Sequence, residues 1–144
     1  MSLNVKITGE HSDVRVKVTK FGQLVTAPLA YSEPVFQRLT VTGQAYNFIE
    51  PLAGHSAVIT DIIVSADKNV SATSPADIAV YQSDEVDSLN LVKGIVSPQL
   101  IRSSNVSYIG LNMIVPEGRW VNAFTDDAEI LITVMFYRVP QEFV

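Results

Sequence analysis

A two-residue hydrophobic period recurs along this chain, and it constrains the fold more than any other feature. The period is clearest between Ala128 and Val139. One face of the predicted strand carries Ile130, Ile132, Val134 and Phe136. The opposite face carries Leu131, Met135 and Tyr137. Because alternate residues of an extended strand point to opposite faces, this spacing predicts a β-strand with apolar residues on both faces.

Seven further stretches carry a strand pattern, and they are 14–19, 38–42, 46–48, 56–67, 77–81, 107–115 and 119–124. Ser56–Asp67 is apolar on both faces, which is typical of a strand between two layers. Ser107–Val115 is predicted as one strand, with Ile109 and three further apolar residues on one face. Val86–Leu100 has no clear period, and its Leu89–Val92 part fits either a strand or a short helical turn. No stretch predicts a longer helix.

Residues that favour turns stand between these stretches. Gly, Pro, Asn, Asp and Ser cluster at the breaks, for example at Glu33-Pro34 and at Pro116-Glu117-Gly118. About eight short strands at regular spacing predict an all-β fold, either an antiparallel β-sandwich or jelly roll or a barrel. The chain of 144 residues is expected to form a single domain over residues 14–144, preceded by an N-terminal arm, residues 1–13, that packs on a neighbour.

The composition argues against several classes of protein. The absence of Cys removes disulfides, Cys-based zinc sites and thiol nucleophiles. A net charge of -5 and a pI near 4.8 argue against a nucleic-acid partner, since binding to phosphates needs clustered Lys and Arg. No apolar run reaches the ~18 residues of a membrane span, and the N-terminus lacks the apolar core of a signal peptide, so synthesis in the cytoplasm is expected.

The low content of charged residues has two readings. Only 17% of the residues are charged, below the ~25% that is typical of globular domains. A surface with so little charge indicates that other chains cover part of it. The alternative is an efficient β-sandwich whose surface is polar through Ser, Thr and Asn.

The two histidines and the hydroxyl beside one of them do not predict a catalytic site. His11 and His55 lie far apart in turn-like segments, and two histidines cannot by themselves form the metal site of an enzymatic jelly roll. Ser56 follows His55 without the Gly-x-Ser-x-Gly spacing of a nucleophile elbow. No glycine-rich phosphate loop occurs. The chain is therefore predicted not to be an enzyme, with no catalytic residue, no cofactor and no metal.

Two acidic clusters and the aromatic residues keep other readings open. The clusters are Asp84, Glu85 and Asp87, and Asp126, Asp127 and Glu129. Neither has the Asp-x-Asp-x-Asp-Gly spacing of a Ca²⁺ loop, so solvated loops are expected, with Ca²⁺ held between subunits as the alternative. Trp120 and the five tyrosines are expected in the core or at an interface, with stacking on a sugar as the alternative.

Several parts of the chain resemble small virion proteins of tailed bacteriophages. They are Val16–Ser32, which reads VKVTKFGQLVTAPLAYS, Val58–Ile63, Gly110–Val121 and the final strand. In that group, short β-sandwich or jelly-roll proteins decorate the head, often as trimers at local threefold positions, and others belong to tails or fibres. The resemblance implies a structural virion protein, located on the capsid surface and bound to the major capsid protein, and it carries over no catalytic residue.

The leading function is decoration and stabilisation of the phage capsid by a trimer on the outer head lattice. The alternative is a tail or fibre module that binds a host-surface glycan or protein. One segment is apolar without alternation, through Phe21, Leu24, Val25, Pro28, Leu29 and Tyr31. These residues are predicted to contact another chain or the capsid, or else to form a connection packed on its own sheet. The two-sided strands 56–67 and 128–139 are expected either near a trimer contact or at the centre of the sandwich.

Overall fold

The computed structural model describes residues 6–8, 13–15, 33–127 and 129–141, which contain twelve β-strands. The strands are β1 (Lys6–Thr8), β2 (Asp13–Arg15), β3 (Glu33–Leu39), β4 (Tyr46–Ile49), β5 (His55–Ala66), β6 (Ala76–Ser83), β7 (Lys93–Val96), β8 (Gln99–Leu100), β9 (Asn105–Tyr108), β10 (Met113–Val115), β11 (Trp120–Thr125) and β12 (Ile130–Pro140). The first two pair as a separate antiparallel hairpin. The described part of the chain holds no helix with the length and apolar character of a membrane span.

The other ten strands form two antiparallel sheets, which together make a β-sandwich. Sheet I contains β3, β12 and β5 in that order, with β9 and β10 both paired to the far edge of β5. Sheet II contains β4, β11 and β6 in that order, with β7 and β8 both paired to the far edge of β6. The prediction of an all-β antiparallel sandwich is therefore confirmed.

The order of strand pairing makes this sandwich a jelly roll. β3 pairs with β12, β4 with β11, β5 with β9 and β10, and β6 with β7 and β8. The two halves of the chain thus pair from the outside inwards, and successive pairs alternate between the sheets, which is the double-sheet arrangement of a jelly roll. Because β7 with β8, and β9 with β10, each fill one strand position, the sandwich has eight positions, which is the number that the sequence predicts. The predicted strand 14–19 is not one of them, since residues 14 and 15 belong to β2, and the position of β7 and β8 had no predicted strand.

The prediction of one strand from Ser107 to Val115 is wrong. β9 ends at Tyr108, and β10 begins only at Met113. Between them, Gly110 and Asn112 have φ angles of 68° and 47°, which lie in the left-handed region and interrupt a strand. The two-residue period in the sequence cannot reveal this break, because apolar residues continue at every second position through it.

The break lies beside a bulge in the neighbouring strand β5. The register of the pairing between β5 and β12 shifts there, so that no residue of β12 stands opposite Thr60. The N–H of Leu111 donates to the carbonyl of Thr60 at 2.8 Å, and the N–H of Gly110 donates to Asp61 Oδ1 at 3.0 Å. As a consequence Ile109 does not lie on a buried face and is 70% exposed.

β3 differs from its prediction at both ends. The Glu33-Pro34 pair, predicted as a turn, begins the strand, while Val41, predicted within a strand, lies beyond its end and is exposed. Pro34 is compatible with this strand because β3 lies at the edge of sheet I, where one backbone N–H in two need not join a ladder. At the other end, the N–H of Glu129 donates to the carbonyl of Leu39 at 2.8 Å and closes the connection into β12.

The core lies between the two sheets and confirms the predicted faces of β12. Six of its inward residues on β5 and β12 of sheet I are fully buried, and they are Ile59, Ile62, Val64, Ile130, Ile132 and Val134. Sheet II contributes Ile78, Val80, Val121 and Ala123 to the same cluster. β5 and β12 are neighbours at the centre of sheet I. Their two-sided apolar pattern therefore belongs to central strands of sheet I, and the expectation of a nearby trimer contact stays a prediction.

Replacing Ile132 by Ala should lower the free energy of unfolding by about 2–5 kcal/mol, because the variant leaves a cavity in a close-packed core. Ile114 on β10 is 48% exposed, and Ile114→Ala should lower the free energy of unfolding by less than about 1 kcal/mol. Urea unfolding followed by tryptophan fluorescence measures both. Similar losses in the two variants would contradict the assignment of inward and outward faces.

Candidate interaction surface

Four predictions from the sequence fall wholly or partly outside the described part of the chain. They concern residues 16–19 of the predicted strand 14–19, the N-terminal arm 1–13 apart from residues 6–8 and 13, the loop histidine His11, and the contact segment with Phe21, Leu24, Val25, Pro28, Leu29 and Tyr31. In these parts they stay predictions. Within the described residues, the main candidate for an interaction surface is a segment to which the sequence assigned no structure, the connection between β6 and β7.

This connection, residues 84–92, is called the apolar loop. Ten large hydrophobic side chains are exposed in the described part of the chain, and four of them lie in this loop: Val86 at 49%, Leu89 at 58%, Leu91 at 53% and Val92 at 41%. Its 89–92 part is irregular, neither strand nor helical turn. Single exposed apolar residues are ordinary, but a group of them marks a contact surface.

Two side chains of sheet II hold the apolar loop in place. The hydroxyl of Tyr81 donates to the carbonyl of Ser88 at 2.6 Å. The amide of Asn122 donates to the carbonyl of Glu85 at 3.0 Å and to that of Ser88 at 3.3 Å. Tyr81 is 2% exposed and Asn122 is fully buried. The loop therefore lies over these two residues and accepts from the Tyr81 hydroxyl and from the amide nitrogen of Asn122, whereas Oδ1 of Asn122 has no hydrogen-bond partner among the described residues.

The strand register explains why Tyr81 and Asn122 reach the same loop. β6 and β11 pair so that Tyr81 stands directly opposite Asn122. The residues next to them on the two strands, Val80 and Val121, belong to the core between the sheets. Because side chains alternate along a strand, Tyr81 and Asn122 lie together on the outer face of sheet II. Two strands that are far apart in sequence thus build one anchor.

Local hydrogen bonds give the apolar loop its shape. The hydroxyls of Ser83 and Ser88 each accept a backbone N–H from two residues further along, at 3.3 and 3.1 Å, and such contacts are turn-forming. The N–H of Val92 donates to the carbonyl of Gln82 at 2.9 Å and returns the chain to β6. Asp87 has a φ of 48°, a conformation that Asp tolerates better than most residues. The hydrophobic side chains are therefore presented on an ordered backbone.

The Tyr81 anchor keeps its proton over the neutral pH range. Burial raises the pKa of Tyr81 above 10.0, and the negative charge of Asp87 raises it further. The protonated hydroxyl is the form that donates to Ser88. Since the pKa is raised in the folded state, the stability that this group contributes is present below pH 10 and is lost as the pH rises through the folded pKa.

Three acidic residues of the apolar loop stand close in sequence to its hydrophobic residues. They are Asp84, Glu85 and Asp87, and Asp84 forms an ion pair with Arg119 at 2.6 Å. A depression of about 690 Å³ opens beside the loop, and Leu89, Asp87 and residues of β4 line it. The surface thus combines apolar contact area, an acidic rim formed by Asp84, Glu85 and Asp87, and a neighbouring depression.

The carboxylates of the second acidic cluster, Asp126 and Glu129, bind different partners. Asp126 Oδ1 accepts a backbone N–H near the start of β6 at 2.6 Å, and Glu129 pairs with Arg38 at 3.0 Å. In the same region Asp67 Oδ1 accepts the N–H of Asn69 at 3.1 Å. In the part of the chain that the structure describes, no three His, Cys, Asp or Glu side chains are grouped to hold a metal ion.

His55 and Ser56 take part in different hydrogen bonds. Nδ1 of His55 lies 3.1 Å from the carbonyl oxygen of Ala53, while the hydroxyl of Ser56 donates to Gln141 Oε1 at 2.7 Å. Ser56 is 1% exposed. The two residues therefore bond to separate partners where the chain enters β5.

Tyr81→Phe removes the hydroxyl that holds Ser88. The variant should lose about 0.5–1.5 kcal/mol of stability, and backbone amides of residues 84–92 should exchange with solvent faster. The control is Tyr46→Phe, because the hydroxyl of Tyr46 contacts the backbone of Val41 in another loop. Hydrogen exchange read by mass spectrometry would contradict the anchoring role if both variants left the apolar loop equally protected.

Asp67 should titrate below its ordinary pKa of 3.8. The hydrogen bond from the N–H of Asn69 is the largest cause that lowers this pKa, and Arg38 lowers it further. The stability that Asp67 contributes is therefore present above pH 3.8 and lost as the pH falls through the folded pKa. NMR titration of Arg38→Gln should give a higher pKa that still lies below 3.8. A value at or above 3.8 in the unmodified protein would contradict this assignment.

The chain matches no protein family, and a search of the curated proteins finds no match either. Its function therefore has to be inferred from its own residues.

Proposed function

We propose that this chain is a structural virion protein that decorates and stabilises the capsid of a tailed bacteriophage, bound to the outer head lattice as a trimer. The observation that carries the proposal is the apolar loop. Hydrogen bonds to sheet II order its backbone, and four hydrophobic side chains remain exposed on it. An ordered apolar surface suits lasting contact with other protein chains, because little conformational freedom is lost on binding.

Two further observations support a virion as the setting. The segment Val16–Ser32 resembles the corresponding part of small phage virion proteins. The jelly roll is an architecture that viral capsid domains use, as lectin domains do. Because a fold by itself does not determine a function, the jelly roll supports the proposal only together with the exposed surface.

The physics of decoration requires binding and no chemical step. A protein that binds the assembled shell more tightly than it binds separate capsid subunits stabilises the shell by mass action. A trimer strengthens this effect, because once one subunit is bound the other two contacts form within the same complex. Modest contacts at each subunit then add up to a long residence time on the shell.

Purified heads that lack the protein should bind it and become more resistant to heat. Co-sedimentation measures the binding, and release of packaged DNA during heating measures the resistance. Light scattering on a sizing column should give about three times the 15.8 kDa of one chain, as expected for a closed threefold assembly. An unrelated β-sandwich of similar net charge serves as the control for non-specific association.

The absence of binding to heads would overturn the capsid proposal. Binding to host cells or to their glycans, with loss in Trp120→Ala, would point instead to the tail or fibre role. Trp120 is half-buried at the start of β11, so part of its ring is accessible for such a contact.

A further inference from the structure

We infer that the apolar loop of one subunit receives the N-terminal segment, residues 1–32, of a second copy of this chain. The inference rests on the proposed function, because it names the contact that joins the copies of the trimer. Its occupant is argued from charge, from the order of residue types in the two segments, and from the place where the segment joins the fold.

The two parts of the chain carry opposite net charge. Residues 1–32 contain four basic and two acidic side chains, a net charge of +2, with Lys6, Arg15, Lys17 and Lys20 as the basic ones. Residues 33–144 contain six basic and thirteen acidic side chains, a net charge of -7, and the two values add to the -5 of the whole chain. Charge of opposite sign steers two surfaces together and fixes their register.

The two segments also match in the order of their residues. In the apolar loop, three acidic residues at 84, 85 and 87 are followed by Leu89, Leu91 and Val92. In the N-terminal segment, Lys17 and Lys20 are followed by the hydrophobic stretch from Phe21 to Tyr31. Basic groups can therefore face the acidic rim while the hydrophobic stretch covers the exposed side chains. Neither surface has to bury an unpaired charge, which would oppose binding.

The connection to the sandwich favours a second copy over the same chain. The N-terminal segment ends at residue 32, directly before Glu33, the first residue of β3 in sheet I, whereas the apolar loop lies over the outer face of sheet II. A segment that covers its own loop must therefore pass around the sandwich. The seventeen residues 16–32 span at most about 60 Å when fully extended, which is enough to reach a neighbouring subunit.

Such a contact closes naturally into a ring. Each subunit provides one N-terminal segment and one apolar loop, so the contact is heterologous. In a ring of three copies related by a threefold axis, every apolar loop is covered by the N-terminal segment of a neighbour. The anchors at Tyr81 and Asn122 order the loop beforehand, so the freedom lost on binding is confined mainly to the incoming segment.

Zero-length cross-linking of carboxylates to lysines tests the occupant directly. The full chain is prepared with natural nitrogen and with ¹⁵N, and the two preparations are unfolded together, refolded and cross-linked. The expected products are mixed-isotope links between Lys17 or Lys20 and Asp84, Glu85 or Asp87. Links that join only equal isotopes would show that the segment covers its own loop, and the absence of links would exclude the contact. Either result overturns the inference.

Variants of the full chain test the energetics. Leu89→Ser combined with Leu91→Ser should weaken association of the copies by about tenfold or more, because it removes contact area at the centre of the surface. Ile109→Ser is the matched control, since Ile109 is 70% exposed and lies outside the loop. Analytical ultracentrifugation measures association, and urea unfolding shows that the variants fold. Equal association in the two variants would contradict the inference.

Charge exchange separates a specific contact from general stickiness. Glu85→Lys should weaken association, and adding Lys17→Glu and Lys20→Glu to it should restore association at low salt. Heads that bind the unmodified protein while no mixed-isotope links form would overturn this inference and leave the proposed function in place. Mixed-isotope links without binding to heads would support this inference and overturn the proposed function.

Discussion

The pairing of β5 with β12 is the interaction on which the rest of the structure depends. Eleven residue pairs join the two strands, from Ile130 with Ala66 to Pro140 with His55. Closing this pair requires the chain to bring together segments more than sixty residues apart, which costs chain entropy. Burial of the apolar faces of both strands offsets that cost. Once the pair exists, β3 and the β9–β10 positions have edges to add to, and sheet II has a surface to pack on.

The outer face of sheet II links the fold to the proposed contact. Burying the hydroxyl of Tyr81 and the amide nitrogen of Asn122 on that face costs less when these donors find acceptors, and the backbone carbonyls of the apolar loop supply them. The loop is thus held where it leaves four hydrophobic side chains in solvent. Covering those side chains with another chain would recover hydrophobic free energy without deforming the sandwich. This balance explains why a stable domain retains an exposed apolar segment.

The sequence predicted much of the fold because the two-residue period is a local signal. It identified both two-sided central strands, and the buried face of β12 lies where the period placed it. The period failed to predict the bounds of a strand where contacts with a neighbouring strand decide them. The break after Tyr108 follows from contacts with the bulge at Thr60, and Pro34 enters a strand because β3 lies at a sheet edge. Neither contact leaves a trace in the spacing of apolar residues. The same holds for the apolar loop, whose anchors come from β6 and β11.

The sequence by itself determined that this chain is all-β with alternating strand faces, since most strands carry their own two-residue pattern of burial. It also determined the opposite charges of residues 1–32 and of the rest of the chain. Only the tertiary structure decided which strands pair, and hence that the sandwich is a jelly roll. It also decided that residues 84–92 lie ordered against sheet II with their hydrophobic side chains outward. The physical reason is that pairing and anchoring depend on hydrogen bonds between residues distant in sequence, whereas alternation depends only on the geometry of a single strand.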